Sequence, residues 1–201
     1  MIDITLKISE KMSVYKNLEE KKPKLIGKFS SPVYETEMTI NLHTGTHVDY
    51  PKHMIPNGKT SNDFRVEDYI GKCYVFDMTY LNRRILKKDI LNIHVSTYDF
   101  ILFKTKNSYS DNFEEDFVYL SEEAAEYLSK EDIKGIGIDS LSVEREQPDY
   151  PTHNLLLGND KLVYEGLNLK DVEEGIYEFI GLPMNIDHVE ASPVRAILRK
   201  I

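Results

Sequence analysis

The sequence contains no tryptophan, only one cysteine, and no apolar run that approaches the roughly 20 residues of a membrane-spanning helix. A single cysteine excludes an internal disulfide, and Cys73 lies in the apolar stretch Cys-Tyr-Val-Phe, where we expect it to be a core residue. The start, Met-Ile-Asp-Ile-Thr-Leu-Lys-Ile, lacks the basic and apolar regions of a signal peptide. These features predict a cytoplasmic protein with no membrane partner.

The sequence also has fewer basic than acidic residues. The 201 residues include 25 Lys and Arg against 34 Asp and Glu, which gives a formal net charge of -9 at pH 7. This is the wrong sign for binding a phosphate backbone, so nucleic acid is not expected as a partner. With 41% hydrophobic and 29% charged residues, the chain is neither disordered nor collagen-like. We expect residues 1–201 to form a single domain with its own core.

Alternation of apolar and polar residues predicts two strands in the first quarter of the chain. Residues 2–8 show the period of two that is typical of a half-buried strand. Residues 38–42 show the same period and predict a strand that runs directly into His43. Between them, residues 11–32 are rich in Lys and Glu without a clean period. They predict a long connection, either a binding or dimer-contact loop or a mobile surface loop.

The rest of the chain is predicted to contain further strands and one clear helix. Continuous apolar runs indicate buried strands at 73–76, 100–103 and 136–139, and further strands are expected near 162–165, 176–182 and 194–198. A helix should begin after Ser121, a good N-cap, and end near Lys134 and Gly135. A shorter helix is expected around residues 85–91. Because strands outnumber helices, the predicted fold class is mixed α/β.

The histidines are concentrated in one short segment. Three of the six lie within the run His-Thr-Gly-Thr-His-Val-Asp-Tyr-Pro-Lys-His. Its candidate ligands are all odd-numbered and would share one face of an extended segment: His43, His47, Asp49 and His53. Gly45 and Pro51 oppose a helix, so we favour a strand that ends in a loop. Imidazole and carboxylate ligands suit Zn²⁺, with Mn²⁺ or Fe²⁺ as alternatives. A polar surface strand with incidental histidines is the other interpretation.

This run resembles the HxGTHxDxPxH signature of the cyclase family, which includes bacterial kynurenine formamidase and isatin hydrolase. Five more segments extend the resemblance over nearly the whole chain: Pro56-Asn-Gly-Lys, residues 137–142, 153–158, 164–169 and 191–198. The resemblance implies a swivelling β/β/α fold that is usually assembled as a homodimer or larger. The residues alone indicate only a mixed α/β domain.

The resemblance also implies roles for individual residues. The implied metal ligands are His43 and His47 on one metal, His153 on a second, and Asp49 and Glu165 bridging the pair. His53 would be the general acid/base. The implied cofactor is Zn²⁺, one or two ions per chain, with Mn²⁺ or another divalent metal as the alternative. Without the resemblance, His153 could instead cap a helix after Thr152, and Glu165 could be an exposed strand residue.

One loop departs from the family pattern. Kynurenine formamidases of this family typically carry a tryptophan followed by Pro-Gly-Asp in the first loop, whereas Val14-Tyr15-Lys-Asn stands in that region here. Tyr50 replaces the usual small residue before the motif proline. These changes would reshape the pocket. We therefore consider Tyr15, Tyr50 and His188 as candidate substrate contacts.

Other polar residues are assigned no catalytic role. His94 is expected on the surface, and Arg195 is expected in a structural ion pair. Asp139 could either orient a ligand histidine or close a turn. The sequence has no Gly-x-Ser-x-Gly motif of a serine hydrolase and no glycine-rich nucleotide loop.

The predicted function is a metal-dependent hydrolase of a small amide, formamide or cyclic amide, resembling arylformamidase and acting on C–N bonds other than peptide bonds. In this hypothesis an activated water attacks the carbonyl, and His53 protonates the leaving nitrogen. The partner is a small-molecule substrate. Alternatives are a metal-dependent cyclase or dehydratase, a lactone hydrolase, and a non-catalytic metal-binding protein.

Overall fold

The computed structural model of the chain describes residues 1–110, 112–145 and 147–201. Its strands are β1 (Ile2–Asp3), β2 (Lys24–Ser30), β3 (Val33–Thr39), β4 (His47–Asp49), β5 (Ile70–Asp77), β6 (Arg84–Ile85), β7 (Phe100–Lys104), β8 (Tyr119–Leu120), β9 (Gly135–Ile138), β10 (Leu162–Glu165), β11 (Gly175–Pro183) and β12 (Ala191–Lys200). The α-helices in these ranges are α1 (Glu122–Ser129) and α2 (Pro151–Leu157). The predicted mixed α/β class is confirmed.

The main sheet closes on itself. In the described ranges, eight strands follow the order β1-β12-β11-β5-β7-β9-β10-β4, and β4 also pairs with β12. Strands β5, β7, β9 and β10 run parallel to one another. Strand β4 is antiparallel to both β10 and β12. The short strand β4 therefore completes the ring.

Apolar side chains fill both faces of this sheet. On β7, Phe100 and Leu102 join an inner cluster to which most strands of the ring contribute. The alternate residues Ile101 and Phe103 join an outer cluster that includes side chains of α1 and α2. Burial on both faces explains why this strand is a continuous apolar run rather than an alternating one.

The prediction of a strand that runs from residue 38 directly into His43 is wrong. Strand β3 ends at Thr39 and pairs only with β2, in a separate two-stranded sheet in which every residue is exposed. Neither strand packs a face on the core, so the alternation at residues 38–42 did not mark a buried face, and β2 shows no period at all. The connection predicted over 11–32 therefore contains β2, and the first strand is confined to Ile2–Asp3 with an isolated bridge at Thr5.

Most other elements lie where they were expected. All six strands predicted between residues 73 and 198 are present, as β5, β7, β9, β10, β11 and β12. The Ser121 hydroxyl caps α1 by accepting a hydrogen bond from the Ala124 amide at 3.4 Å. The helix ends earlier than predicted, at Ser129, and Lys130 is its C-cap residue. Gly135, the predicted C-cap, is instead the first residue of β9. The helix expected at 85–91 is the 3-10 turn Lys87–Ile90.

Cys73 is a core residue, as predicted, and its burial raises the pKa of the thiol to about 12. None of the helices in the described ranges is long and apolar enough to cross a membrane.

Candidate metal centre

Strand β4 places two candidate ligands on one face and anchors them from the other. Val48 and Tyr50 are buried in the inner cluster, so His47 and Asp49 point to the opposite, outer face. The register pairs His47 with Glu165 of β10 and Asp49 with Val163. Because directly opposed residues share a face, the His47, Asp49 and Glu165 side chains converge outside the ring.

The turn that precedes β4 delivers His43. The amide of His43 donates to Asn41 Oδ1 at 2.9 Å, and Gly45 has a positive φ of 67° that favours glycine. His43 Nδ1 lies 2.9 Å from Asp49 Oδ1, and its Nε2 lies 3.5 Å from Glu190 Oε1. The side chain remains 23% exposed, so His43 lies on the open side of the centre.

The two turns beside the centre are in close contact. Gly166 follows Glu165 with φ of 65°, and any side chain there would collide with the Gly45 carbonyl oxygen. The Thr46 hydroxyl donates to the Gly166 carbonyl and accepts from the Leu6 amide at 2.8 Å. This contact holds the ends of β4 and β10 together.

His47 is oriented by its own backbone. Its Nδ1–H donates to the Gly45 carbonyl at 3.0 Å, which turns Nε2 towards Asp49 Oδ1 and Glu165 Oε2, each 3.4 Å away. Burial by itself lowers the pKa of His47, but the Asp49 and Glu165 carboxylates raise it to about 10. The same contacts hold the pKa of the Asp49 carboxyl well below its usual range, against the effect of burial.

Several buried atoms of the centre lack hydrogen-bond partners. Among the described residues these include His47 Nε2 and both carboxylate oxygens of Asp49. Buried polar atoms are rarely left unpaired, since this costs free energy. A divalent cation would satisfy all three, and their imidazole and carboxylate chemistry is that of a zinc or manganese site. The residues present therefore fit a metal.

His53 joins the centre from the 3-10 turn Pro51–His53 that follows β4. Its ring centroid lies 4.3 Å from that of His43 and 5.8 Å from that of His153. Burial lowers the pKa of His53, and the neighbouring histidines oppose the raising effect of Asp49. At neutral pH this favours a neutral imidazole.

Two overlapping sets of ligand atoms are close enough to hold an ion. One set is His43, Asp49 and His53, and the other is His47, Asp49 and Glu165, with ligand atoms within 4.8 Å of one another in each. Asp49 belongs to both sets. Distance alone therefore allows His53 as a ligand as well as an acid/base.

His153 completes the cluster from the outer layer. It lies in the first turn of α2, with Nε2 3.2 Å from Glu165 Oε1 and 4.0 Å from Asp49 Oδ2. Burial lowers its pKa, but the Glu144 and Glu165 carboxylates raise it to about 10. Glu165 is itself held by the Val143 amide, which donates to Oε1 at 2.6 Å. The five predicted metal ligands and His53 thus lie together.

The candidate substrate contacts do not all lie at this centre. The prediction that Tyr50 contacts the substrate is not supported, because its side chain is fully buried inside the ring. Its hydroxyl lies 3.1 Å from that of Tyr69. The His188 imidazole is exposed, beside Asp187. Tyr15 is half-buried, with its ring centroid 5.3 Å from that of Phe113.

The residues that were assigned no catalytic role have structural contacts. Asp139 closes the turn at residues 105–108, where it accepts hydrogen bonds from Thr105 and Ser108, and it orients no histidine among the described residues. Arg195 pairs with Asp3, and His94 is exposed. Sequence reasoning missed Glu190 and Glu144. Glu190 directly precedes the segment 191–198 that resembles the family, whereas no local signal marked Glu144.

Comparison with known proteins agrees with this arrangement. The family model described as "Putative cyclase" matches residues 2–145. A kynurenine formamidase from Erythrobacter litoralis is 35% identical, over 85% of this chain and 79% of its own. The structure of a predicted metal-dependent hydrolase from Bacillus stearothermophilus is 42% identical with a TM-score of 0.88, over 98% of this chain and 96% of that one.

The isatin hydrolase from Labrenzia aggregata shares the fold, with a TM-score of 0.84 at 21% identity over 98% of this chain and 92% of that one. The family-model match ends before His153 and Glu165, but these structural matches span both residues. The sequence match, the shared fold and the clustered ligands lead to the same conclusion: the chain belongs to the cyclase family.

Proposed function

We propose that this chain is a metal-dependent hydrolase of a small amide, formamide or cyclic amide. The observation that carries the proposal is a set of buried atoms that make no hydrogen bond, His47 Nε2 and both Asp49 carboxylate oxygens, with the Glu165 carboxylate 3.4 Å from His47 Nε2. Such a set is costly unless a cation occupies it. The homologues named kynurenine formamidase and the metal-dependent hydrolase structure support this class of reaction.

The proposed cofactor is Zn²⁺, one or two ions per chain, with Mn²⁺ or another divalent metal as the alternative. His43 and His47 would bind one ion and His153 a second, while Asp49 and Glu165 would bridge them. Asp49 belongs to both sets of clustered ligand atoms, which supports it as a shared ligand, and the 3.2 Å between His153 Nε2 and Glu165 Oε1 supports Glu165 as a ligand beside His153. When bound, a divalent ion supplies a Lewis acid that polarises a carbonyl and lowers the pKa of water.

His53 is the proposed general acid/base. As a neutral imidazole it takes a proton from the attacking water at one ring nitrogen, and it then delivers this proton to the leaving nitrogen of the amide. Its position beside His43, on the open side of the centre, supports this role. Val48 and Tyr50 do not take part, but they anchor β4 and so hold the ligands in place.

The proposed substrate has an aromatic or similarly flat apolar part. A cleft of about 540 Å³ is large enough for a small ligand, and its lining combines three aromatic residues with polar and charged ones: Tyr15, Phe113 and Phe117 with Lys16, Asn17, Glu114, Glu115, Asp116 and Arg145. Its lining residue Arg145 directly follows Glu144, which contacts His153, and this is its link to the centre; the candidate ligands themselves do not line it. We propose Tyr15 as a substrate contact there. Because the first loop lacks tryptophan, we leave N-formylkynurenine as one substrate to be tested among several.

The proposed assembly is a homodimer or a larger oligomer. The hairpin formed by β2 and β3 exposes both faces, and Ile26, Phe29 and Tyr34 are each more than 60% exposed. An isolated two-stranded hairpin is marginally stable in water, so a second copy of the chain is the proposed cover for this surface. The cytoplasm remains the proposed location.

The function is tested by metal analysis of the purified protein, joined to a hydrolysis screen of aryl formamides, cyclic amides and small lactones. We expect bound divalent metal, turnover of at least one amide, loss of turnover with a chelator, and recovery on adding Zn²⁺. Products that form by dehydration or ring closure would favour the cyclase alternative. Protein that binds no metal and hydrolyses no amide would overturn the proposal.

A further inference from the structure

Glu144 is a buried carboxylate that the proposed mechanism does not use. Its side chain is only 2% exposed, and it lies between the end of β9 and the start of α2. A buried charge persists only where hydrogen bonds or opposite charges compensate its loss of hydration. Its partners therefore indicate what it does.

Those partners all belong to the first turn of α2. Glu144 Oε1 accepts from the Thr152 amide at 3.0 Å, and Oε2 accepts from the His153 amide at 3.2 Å. The N-cap residue, Tyr150, has a left-handed conformation and provides no side-chain cap. Glu144 thus caps the helix from outside it, satisfying amides that the helix itself leaves free.

The same carboxylate also binds the imidazole. His153 Nδ1 lies 2.8 Å from Glu144 Oε2, and a carboxylate can only accept, so Nδ1 carries the proton. The other nitrogen, Nε2, also lies beside a carboxylate, 3.2 Å from Glu165 Oε1 and 4.0 Å from Asp49 Oδ2, so a metal bound there would replace the proton on Nε2 and leave the proton on Nδ1. A histidine that binds a metal needs one unprotonated nitrogen, and a carboxylate on its other nitrogen fixes the ring and raises its basicity.

His47 provides a contrast within the same centre. Its Nδ1 donates to the neutral carbonyl of Gly45, whereas His153 donates to a charged carboxylate. Hydrogen bonds to ionised acceptors are roughly twice as strong as those to neutral ones. The two imidazoles therefore differ in how firmly they are held and in their basicity.

We propose that Glu144 is a positioning residue that holds His153 with Nε2 presented to the metal, and so sets the affinity of the ion bound on the α2 side. The inference rests on the proposed function, since it requires His153 to be a ligand. It makes Glu144 more than a helix cap, because a cap alone would affect folding and leave metal affinity unchanged.

The test is a titration of metal-free protein with Zn²⁺ in competition with a chromophoric chelator. His153→Ala identifies the binding step that depends on His153. Glu144→Gln, which keeps the size but removes the charge, should weaken that same step by about 10- to 100-fold. Binding that depends on His47 should change far less.

Asp139→Asn is the matched control. Asp139 is also a buried carboxylate that accepts amide hydrogen bonds, but its partners are Thr105, Asn107 and Ser108 rather than a histidine. This variant should lower the melting temperature without changing Zn²⁺ affinity. Unchanged affinity in Glu144→Gln, with only a lower melting temperature, would reduce Glu144 to a helix cap and overturn the inference.

A second measurement needs no variant. In the Zn²⁺-loaded protein, nitrogen-correlated NMR should show a slowly exchanging His153 Nδ1 proton shifted downfield by the carboxylate. If His153 instead carries its proton on Nε2, the inference fails whether or not Glu144→Gln folds. If the unmodified protein binds no Zn²⁺ or other divalent ion at all, the proposed function itself fails, so the two failures are distinguishable.

Discussion

At the scale of single residues, two imidazoles of the centre each have one nitrogen held by a hydrogen bond so that the other is directed inward. The Gly45 carbonyl does this for His47, and the Glu144 carboxylate does it for His153. The contiguous run from His43 to His53 made four of the six residues of the centre predictable. His153 and Glu165 were reached only through the family resemblance, because they lie twelve positions apart on different elements; the pairing of β10 with β4 brings Glu165 to His47, and His153 approaches from α2.

His47→Ala should abolish activity, remove the ion that His43 and His47 would bind, and lower the melting temperature of the metal-loaded protein. The substitution leaves the Asp49 and Glu165 carboxylates facing each other without the imidazole between them. A metal present at 100 times its dissociation constant stabilises a fold by about 2.7 kcal/mol, and this linkage would disappear. Metal content and thermal melting with and without chelator measure the loss of the ion and of stability.

The control is His94→Ala, which removes an exposed histidine that belongs to neither set of clustered ligand atoms. It should keep full metal content and wild-type melting. Unchanged metal content in His47→Ala would remove His47 from the ligands.

His53→Ala should keep its metal and lose about 10² to 10⁴ in turnover, as expected for removal of a general acid. The loss should be smaller for substrates with a good leaving group, because a stable leaving group needs little protonation in the transition state. Steady-state kinetics on a series of substituted formanilides, with metal analysis of the same samples, provides the measurement. Metal loss in proportion to activity would make His53 a ligand, as its distance from His43 and Asp49 also allows.

At the scale of elements, strands were predicted correctly where their burial produces a run of apolar residues in the sequence, and they were missed where the strand is exposed. The runs at 73–76 and 100–103 are buried on both faces, so they were recognisable as strands. Strand β2 is exposed on both faces, and its Lys-Leu-Ile-Gly-Lys-Phe-Ser sequence showed no period. The end of α1 was misplaced because Gly135 is needed in β9, where it faces the Leu162 carbonyl.

Strand β9 alternates glycine and isoleucine, since the interior of the ring has no room for further side chains there. A Cβ on Gly137 would lie 2.6 Å from Leu167 Cδ1 and 2.8 Å from Leu102 Cδ2. Gly137→Ala should therefore cost about 1–3 kcal/mol by overpacking. Gly135→Ala should cost more, because it meets backbone that cannot turn away. Denaturant unfolding measures both.

Gly27→Ala is the control for these two variants. The atoms nearest its Cβ all belong to Tyr34, a residue of the proposed dimer contact, so it is compared in a Tyr34→Ser background, where stability should stay within about 0.5 kcal/mol of that background. A Gly137→Ala protein as stable as the parent would mean that the ring interior is looser than its packing indicates.

At the scale of the whole molecule, the hairpin formed by β2 and β3 exposes apolar side chains that no other part of the described chain covers. Phe29 and Tyr34 oppose each other across its two strands and are each 65% exposed. If a second copy covers them, replacing both with serine should shift the protein from dimer to monomer in light scattering coupled to size exclusion. Tyr80→Ser, at a similarly exposed tyrosine elsewhere, should leave the dimer intact. A monomeric parent protein would contradict the proposed assembly.

Strand β4 has a further consequence, because the three residues that close the ring also supply two of the proposed ligands. Opening the seam between β4 and its neighbours would separate His47 from Glu165, so local unfolding and metal release become one event. Metal should then slow amide hydrogen exchange at residues 47–49 and 163–165 far more than in α1. The rate at which a chelator removes metal from the protein should level off at high chelator concentration, because the opening of this seam then limits the rate.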